Sequence, residues 1–273
     1  MHVNSHHIRE GIRALGLSGK MVCVHASMGS FGWVTGGAKT VIDGMLDEGC
    51  TLLMPTFSWS HYGVPSPRDD IPKRNGMGKV YAEFIFNHRD VYRKDTLDVD
   101  RYDMGAISTA LVKMPERIRG DHPLCSFSAV GPLANQLVCG QTWANVYEPF
   151  RALIEADGYV LLMGVTLQRM TLIHYAEQQA GRNLFLRWAN TPDGDVMGVE
   201  VGGCSEGFDN FAPILAPYEK RCKVGGSLWR LFPARQTLAA AVTAIQQNPN
   251  ITHCQHSYCE RCHDSVLGGR VIE

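Results

Sequence analysis

Apolar residues recur along the first third of the chain with changing period, and each change marks an element. Ile8, Ile12 and Leu15 have the spacing of one helix face, which predicts a helix over 6–15 stopped by Gly16. Met21-Val22-Cys23-Val24-His25-Ala26 is an unbroken, partly β-branched run and reads as a buried strand. A glycine-rich turn over 28–37 follows. Val41, Ile42, Met45 and Leu46 then share a face of a helix over 38–47, and Cys50-Thr51-Leu52-Leu53-Met54-Pro55 is a second buried strand. Strand, turn, helix, strand is a βαβ unit, for which a right-handed crossover is expected.

Between Ser58 and Asp103 the pattern breaks down among Pro65, Pro67, Pro72 and mixed charges. This predicts a long insertion, helical only around 80–86, and loops of that length commonly carry function. Beyond it, helices are expected over 104–114, within 127–138 after Gly131-Pro132, over 170–180 and over 238–247. Tyr159 to Val165 reads as a third buried strand, and 187–201 as a hairpin turning at Pro192-Asp193-Gly194. No repeat or low-complexity linker interrupts the chain. One α/β domain over 1–273 is therefore expected, with an insertion at about 58–102 and a Cys/His-rich tail.

Charge and composition narrow the classes. Twenty-six basic and 27 acidic residues leave a net charge of -1, without the basic excess of a nucleic-acid binder. The first residues are polar and His-rich, lacking the ~7–15 apolar residues of a signal core, and no run approaches the ~18 of a membrane span. Nine cysteines, an odd number, then read as mostly reduced thiols in a cytoplasmic enzyme.

Three stretches carry candidate chemistry. The turn after the first strand, Ser27 to Ala38, has glycines that let backbone N–H groups approach an anion at a helix start. It has neither GxGxxG spacing nor a Gly-Lys-Ser/Thr step, and is equally readable as a turn whose glycines only satisfy backbone geometry. The second stretch, Arg119 to Ala134, combines His122-Pro123 with Ser126 and Ser128. The third places His174 and Glu177 three apart on one helix face, just beyond the third strand. A carboxylate beside a histidine orients it and raises its basicity, although a surface pair has the same spacing.

In order and spacing these stretches resemble the aminoglycoside 3-N-acetyltransferases, the antibiotic N-acetyltransferase family. The resemblance lies in VHASMGSFGWVTGGAKTVIDGML (24–46), GCTLLMPTFS (49–58), MGAISTALVKMPERIRGDHPLCSFSAVGPLA (104–134) and VLLMGVTLQRMTLIHYAE (160–177), and weakens after about residue 180. It implies an α/β/α sandwich distinct from the GNAT fold, acetyl-CoA as donor and an amino sugar as acceptor. It implies that Ser27, Met28, Gly29, Val34, Gly36, Gly37 and Ala38 line the coenzyme, with His122, Ser126 and Ser128 across the groove. His174 matches the catalytic histidine and Glu177 the carboxylate beside it. A further acid comes from the segment after the hairpin, where Glu200, Glu206 and Asp209 are all open. Asp69, Asp70, Glu200 and Asp209 are candidates for the acceptor side. The chain departs from the family at Gly120, where a serine is usual, and at the insertion, whose mixed charges do not establish an acidic pocket.

The tail, His253 to His263, contains a Cys259-x-x-Cys262 step that suits tetrahedral zinc. Cys204, Cys259 and Cys262 are the expected structural ligands, with Cys254, His256 and His263 as further candidates. The expected activity is acetyl-CoA-dependent acetylation of the 3-amino group of an aminoglycoside, a resistance reaction. Expected partners are the small acceptor alone, with neither nucleic acid nor membrane, for a monomer or homodimer. The rivals are acetylation of another amine such as an amino-sugar nucleotide, a zinc-dependent hydrolase using His25, His122 or His174, and a coenzyme A binder without catalysis. A covalent route through Cys125 is a minor variant.

Overall fold

Alternation within the buried strands decides the layering. In β1 (Met21–Ala26), Met21 and Cys23 enter one apolar cluster while Val22 and Val24 enter another. In β2 (Thr51–Pro55), Leu53 goes to the first cluster and Leu52 and Met54 to the second. The computed structural model describes residues 2–67, 71–76 and 90–272, and these strands form the middle of its larger sheet.

Helices cover both faces. On one lie α1 (Ser5–Leu15) and α2 (Gly37–Leu46), and after the short α3 (Trp59–Tyr62) and β3 (Gly63–Val64) comes α4 (Arg101–Val112), bent at Gly105. The chain then adds β4 (Ile118–Arg119) and β5 (Phe127–Val130) at one edge. The other face is covered by α5 (Ala134–Val138), α6 (Glu148–Glu155), then, after β6 (Tyr159–Met163), by α7 (Leu172–Gln179). A hairpin of β7 (Phe185–Asn190) and β8 (Val196–Val201) leads to the short α8 (Ala212–Leu215). A second hairpin, β9 (Lys220–Val224) and β10 (Ser227–Pro233), closes the far edge before α9 (Ala234–Gln247) and the tail helix α10 (Glu260–Val266). The seven-stranded order is β4-β5-β2-β1-β6-β10-β9, parallel at β2-β1-β6 and antiparallel outside. This is an α/β sandwich, as the sequence resemblance implies.

The parallel register brings Ala26 opposite Met163, so the loops after β1 and β6 leave the same end of the sheet. Ligands of open α/β sheets gather at that end. A three-stranded sheet, β3-β7-β8, carries the hairpin.

The helix expected after Gly131-Pro132 is α5, and strand β5 before it is not among the expected elements; the stretch expected as an insertion contributes α3 and β3, with β3 paired to β7. The helix expected around 80–86 lies outside the described residues, as do Asp69 and Asp70. No helix among the described residues is long and apolar enough to cross a membrane.

Candidate active site

The first βα loop takes the shape its glycines permit. Ser27 to Phe31 makes a tight turn, and Gly36 and Gly37 bring the chain into α2 at φ of 80° and 68°. L side chains rarely adopt that backbone, so glycine is required where the loop meets the helix. The first-turn N–H groups of a helix have no intrahelical acceptor and are suited to an anion. Gly29 and Gly36 are exposed and Ser27, Met28, Gly37 and Ala38 half-buried, whereas Val34 is buried against Phe31 and α2.

Across the β2 end, His122, Ser126 and Ser128 have no exposed surface and spend their hydrogen bonds internally. The N–H groups of Leu124 and Cys125 donate to His122 Nδ1 (3.3 and 2.9 Å), so the ring proton sits on Nε2 and is donated to the Glu200 carbonyl at 2.9 Å. Burial lowers this ring to about 4, so it is neutral. Ser128 Oγ meets Thr56 Oγ1 at 2.8 Å, and Ser126 Oγ accepts from Arg119 Nε at 3.0 Å. The Arg119 guanidinium also donates to the carbonyls of Thr56, Thr96 and Asp98, tying residues of the broken stretch to the sheet edge. These three groups therefore brace the wall from within.

Helix α7 carries the His174–Glu177 pair. Thr166 accepts from the Gln168 N–H and Asp209 Oδ1 from the Leu167 N–H, fixing the turn between β6 and α7. One helical turn holds His174 Nδ1 at 2.8 Å from Glu177 Oε2, with both side chains nearly buried. Burial alone would raise the Glu177 carboxyl, but bonds from His174, Arg182 and Ser265 hold it below its ordinary range. An ionised carboxylate only accepts, so Nδ1 carries the proton and Nε2 of the neutral ring carries the lone pair. Tyr147 stacks on the imidazole at 6.4 Å between centroids, and Phe208 meets it edge-on at 4.7 Å. Gly202 packs so close that a Cβ would lie 2.8 Å from His174 Cγ. Tyr147, Phe208 and Gly202 carry no sequence signal of their own; only the fold brings them here.

The remaining candidates separate. Glu200 pairs with Arg270 at 2.9 Å, and Glu206 lies beside His256 at 3.5 Å. Burial pushes the Cys125 thiol up to about 12, which disqualifies it as a thiolate acyl carrier at neutral pH. Burial, with the Arg169 charge, lowers His25 to about 3. Among the described residues, the metal-type side chains that converge are Cys204, Cys254, Cys259 and Cys262, their Sγ atoms all within 4.8 Å of one another. The histidines of the hydrolase alternative form no such group. Zinc at ~2.3 Å from four sulfurs places them about 3.8 Å apart, so this spacing fits.

A profile of the aminoglycoside 3-N-acetyltransferase family matches residues 23–246. The aminoglycoside N(3)-acetyltransferase IX of Micromonospora chalcea is 34% identical over 180 residues, 63% of this chain and 61% of that protein. The match thus spans about three fifths of that relative. The crystal structure of a mutant of aminoglycoside acetyltransferase AAC(3)-IVa in complex with a gentamicin superposes with a TM-score of 0.76 at 23% identity, covering 98% of each chain. That of AAC-IIIb with CoASH gives 0.70 at 23%, covering 90% of this chain and 97% of the other.

Proposed function

The chain belongs to the aminoglycoside 3-N-acetyltransferase family, and on that premise we propose that it moves the acetyl group of acetyl-CoA to the 3-amino group of an aminoglycoside. The observation that carries the reading is the buried His174–Glu177 bond of 2.8 Å at the start of α7, beyond the parallel strand ends.

An ammonium group is not a nucleophile. His174, its Nδ1–H fixed on Glu177, takes the amine proton at Nε2 as nitrogen attacks the thioester carbonyl. The N–C bond forms, the C–S bond breaks, and the proton passes to the departing thiolate. The loop from Ser27 to Ala38 holds the coenzyme through backbone N–H groups. Asp209, next in sequence to the Phe208 that packs on His174, and Glu200, whose carboxylate pairs with Arg270, are the candidates for meeting the cationic acceptor. Nine cysteines without a disulfide suit a reducing compartment, which supports the reading of a cytoplasmic enzyme.

The test is thiol release from acetyl-CoA against a panel of aminoglycosides and amino-sugar nucleotides. Release with aminoglycosides is expected, falling about 10²–10⁴-fold in His174→Ala while coenzyme A still binds. More than half of wild-type turnover in that variant removes His174 from the mechanism. Release only with amino-sugar nucleotides reassigns the acceptor.

The same reading extends to the four thiols, which we assign to a structural zinc. Four protein ligands leave no open position for a substrate, so such a metal ties Cys204 to the tail and does no chemistry. Elemental analysis after purification without added metal should find about one zinc per chain, and chelation should lower the melting temperature. Less than about a tenth of a zinc, with unchanged melting on chelation, leaves four reduced cysteines.

A further inference from the structure

The two oxygens of Glu177 have different partners. Oε2 accepts from His174, whereas Oε1 lies 2.6 Å from Arg182 Nη1 and 2.8 Å from Ser265 Oγ. Arg182 Nη1 also reaches Thr252 Oγ1 at 2.8 Å and Ser265 Oγ at 3.0 Å, and Nη2 donates to the Pro249 carbonyl at 2.7 Å. Arg182, Thr252 and Ser265 are all buried. Pro249, Thr252 and Ser265 all come from the C-terminal end of the chain, far in sequence from the helix they serve.

We propose that Ser265 and Arg182 are positioning residues for acetyl transfer, acting through Glu177, and that the C-terminal tail is thereby part of the catalytic apparatus. This rests on the reading of His174 as base.

A carboxylate bonded on one oxygen alone can rotate about its terminal torsion, and in a buried setting it also tends to take up a proton. Either change frees the imidazole to adopt the tautomer with hydrogen on Nε2, which cannot accept the amine proton. Two donors on Oε1 fix the carboxylate plane and favour its charge, keeping Oε2 on Nδ1–H. Ser265 lies one turn beyond Cys262 on α10, so the segment gathered by the four cysteines delivers the hydroxyl.

The experiment compares Ser265→Ala, Arg182→Lys, Arg182→Met, Glu177→Gln and Glu177→Gln/Ser265→Ala in steady-state kinetics, each with an unfolding midpoint. Ser265→Ala should lower kcat about tenfold, the worth of one hydrogen bond to a charged group, with KM for acetyl-CoA unchanged. Arg182→Met should lose more and Arg182→Lys should recover part of that loss. On the Glu177→Gln background, Ser265→Ala should add little, because both act through one carboxylate.

Wild-type kcat in folded Ser265→Ala, or a full tenfold loss on top of Glu177→Gln, overturns the proposal. If Arg182→Met does not fold, the serine series still decides. If His174→Ala keeps its activity, the base assignment has failed; if only the Ser265 series is silent, the base stands and this inference falls.

Discussion

Replacing His122 by glutamine probes how the groove wall is built, and the outcome depends on pH. The folded chain gives His122 no exposed surface, makes Nδ1 an acceptor for two backbone N–H groups, and lowers the ring to about 4. In the unfolded chain the ring titrates near its ordinary ~6.5. Between these values the unfolded state binds a proton that the native state refuses. The stability tied to the neutral ring is thus complete above about pH 6.5 and is lost as pH falls toward 4. At about 1.36 kcal/mol per unit, the ~2 units from pH 6.5 to 4.5 amount to about 3 kcal/mol. Glutamine keeps an acceptor oxygen but does not titrate. The advantage of wild type over His122→Gln should therefore shrink by about 3 kcal/mol between about pH 7.5 and 4.5. His25 and the carboxylates titrate in both proteins and cancel in the difference. Urea unfolding followed by tryptophan fluorescence across that range measures it. A difference constant to within about 0.5 kcal/mol would mean that the ring accepts a proton in place, and the neutral brace would be refuted.

Two further outcomes follow from the site. Gly37→Val meets open space at its Cβ but must hold a left-handed backbone, so it should fold with a cost of about 1–2 kcal/mol and raise KM for acetyl-CoA about tenfold; a change confined to the acceptor constant reverses the two sides of the groove. Arg119→Met strands the carbonyl of Asp98 and leaves those of Thr56 and Thr96 with one donor each, Ser126 Oγ and Arg117 Nη2, and should lower the unfolding free energy by about 2 kcal/mol; a loss below about 0.5 kcal/mol in urea would show that water replaces the guanidinium.

The sheet centre was legible because β1, β2 and β6 are short apolar runs buried on both faces, a pattern few other elements produce. Its edges were not. β9 reads Lys-Arg-Cys-Lys-Val and is largely exposed, so no alternation of core and solvent positions announces it. β5 is a four-residue apolar run directly before Gly131-Pro132, and periodicity over so short a run does not separate strand from helix. The broken stretch after Ser58 hid the opposite feature: Tyr62 and Tyr92 are buried there against each other, and β3 pairs with β7 of the hairpin, more than a hundred positions away.

The candidate site divides along the same line. His174 and Glu177 are visible in the sequence because helix geometry makes positions three apart neighbours whatever the tertiary structure. Cys259-x-x-Cys262 is visible for a similarly local reason. What completes each group is long-range: Ser265 reaches Glu177 across 88 positions, and Cys204 meets the tail thiols from the loop after the β7–β8 hairpin. No spacing rule connects such residues, because their distance is set by how the tail docks rather than by any single element. In the proposed mechanism the local pair supplies a base and an orienting carboxylate, and the remote donors decide whether that carboxylate, buried as it is, keeps its charge and its aim. On that proposal, substitutions in the tail should register in turnover even where they leave α7 untouched.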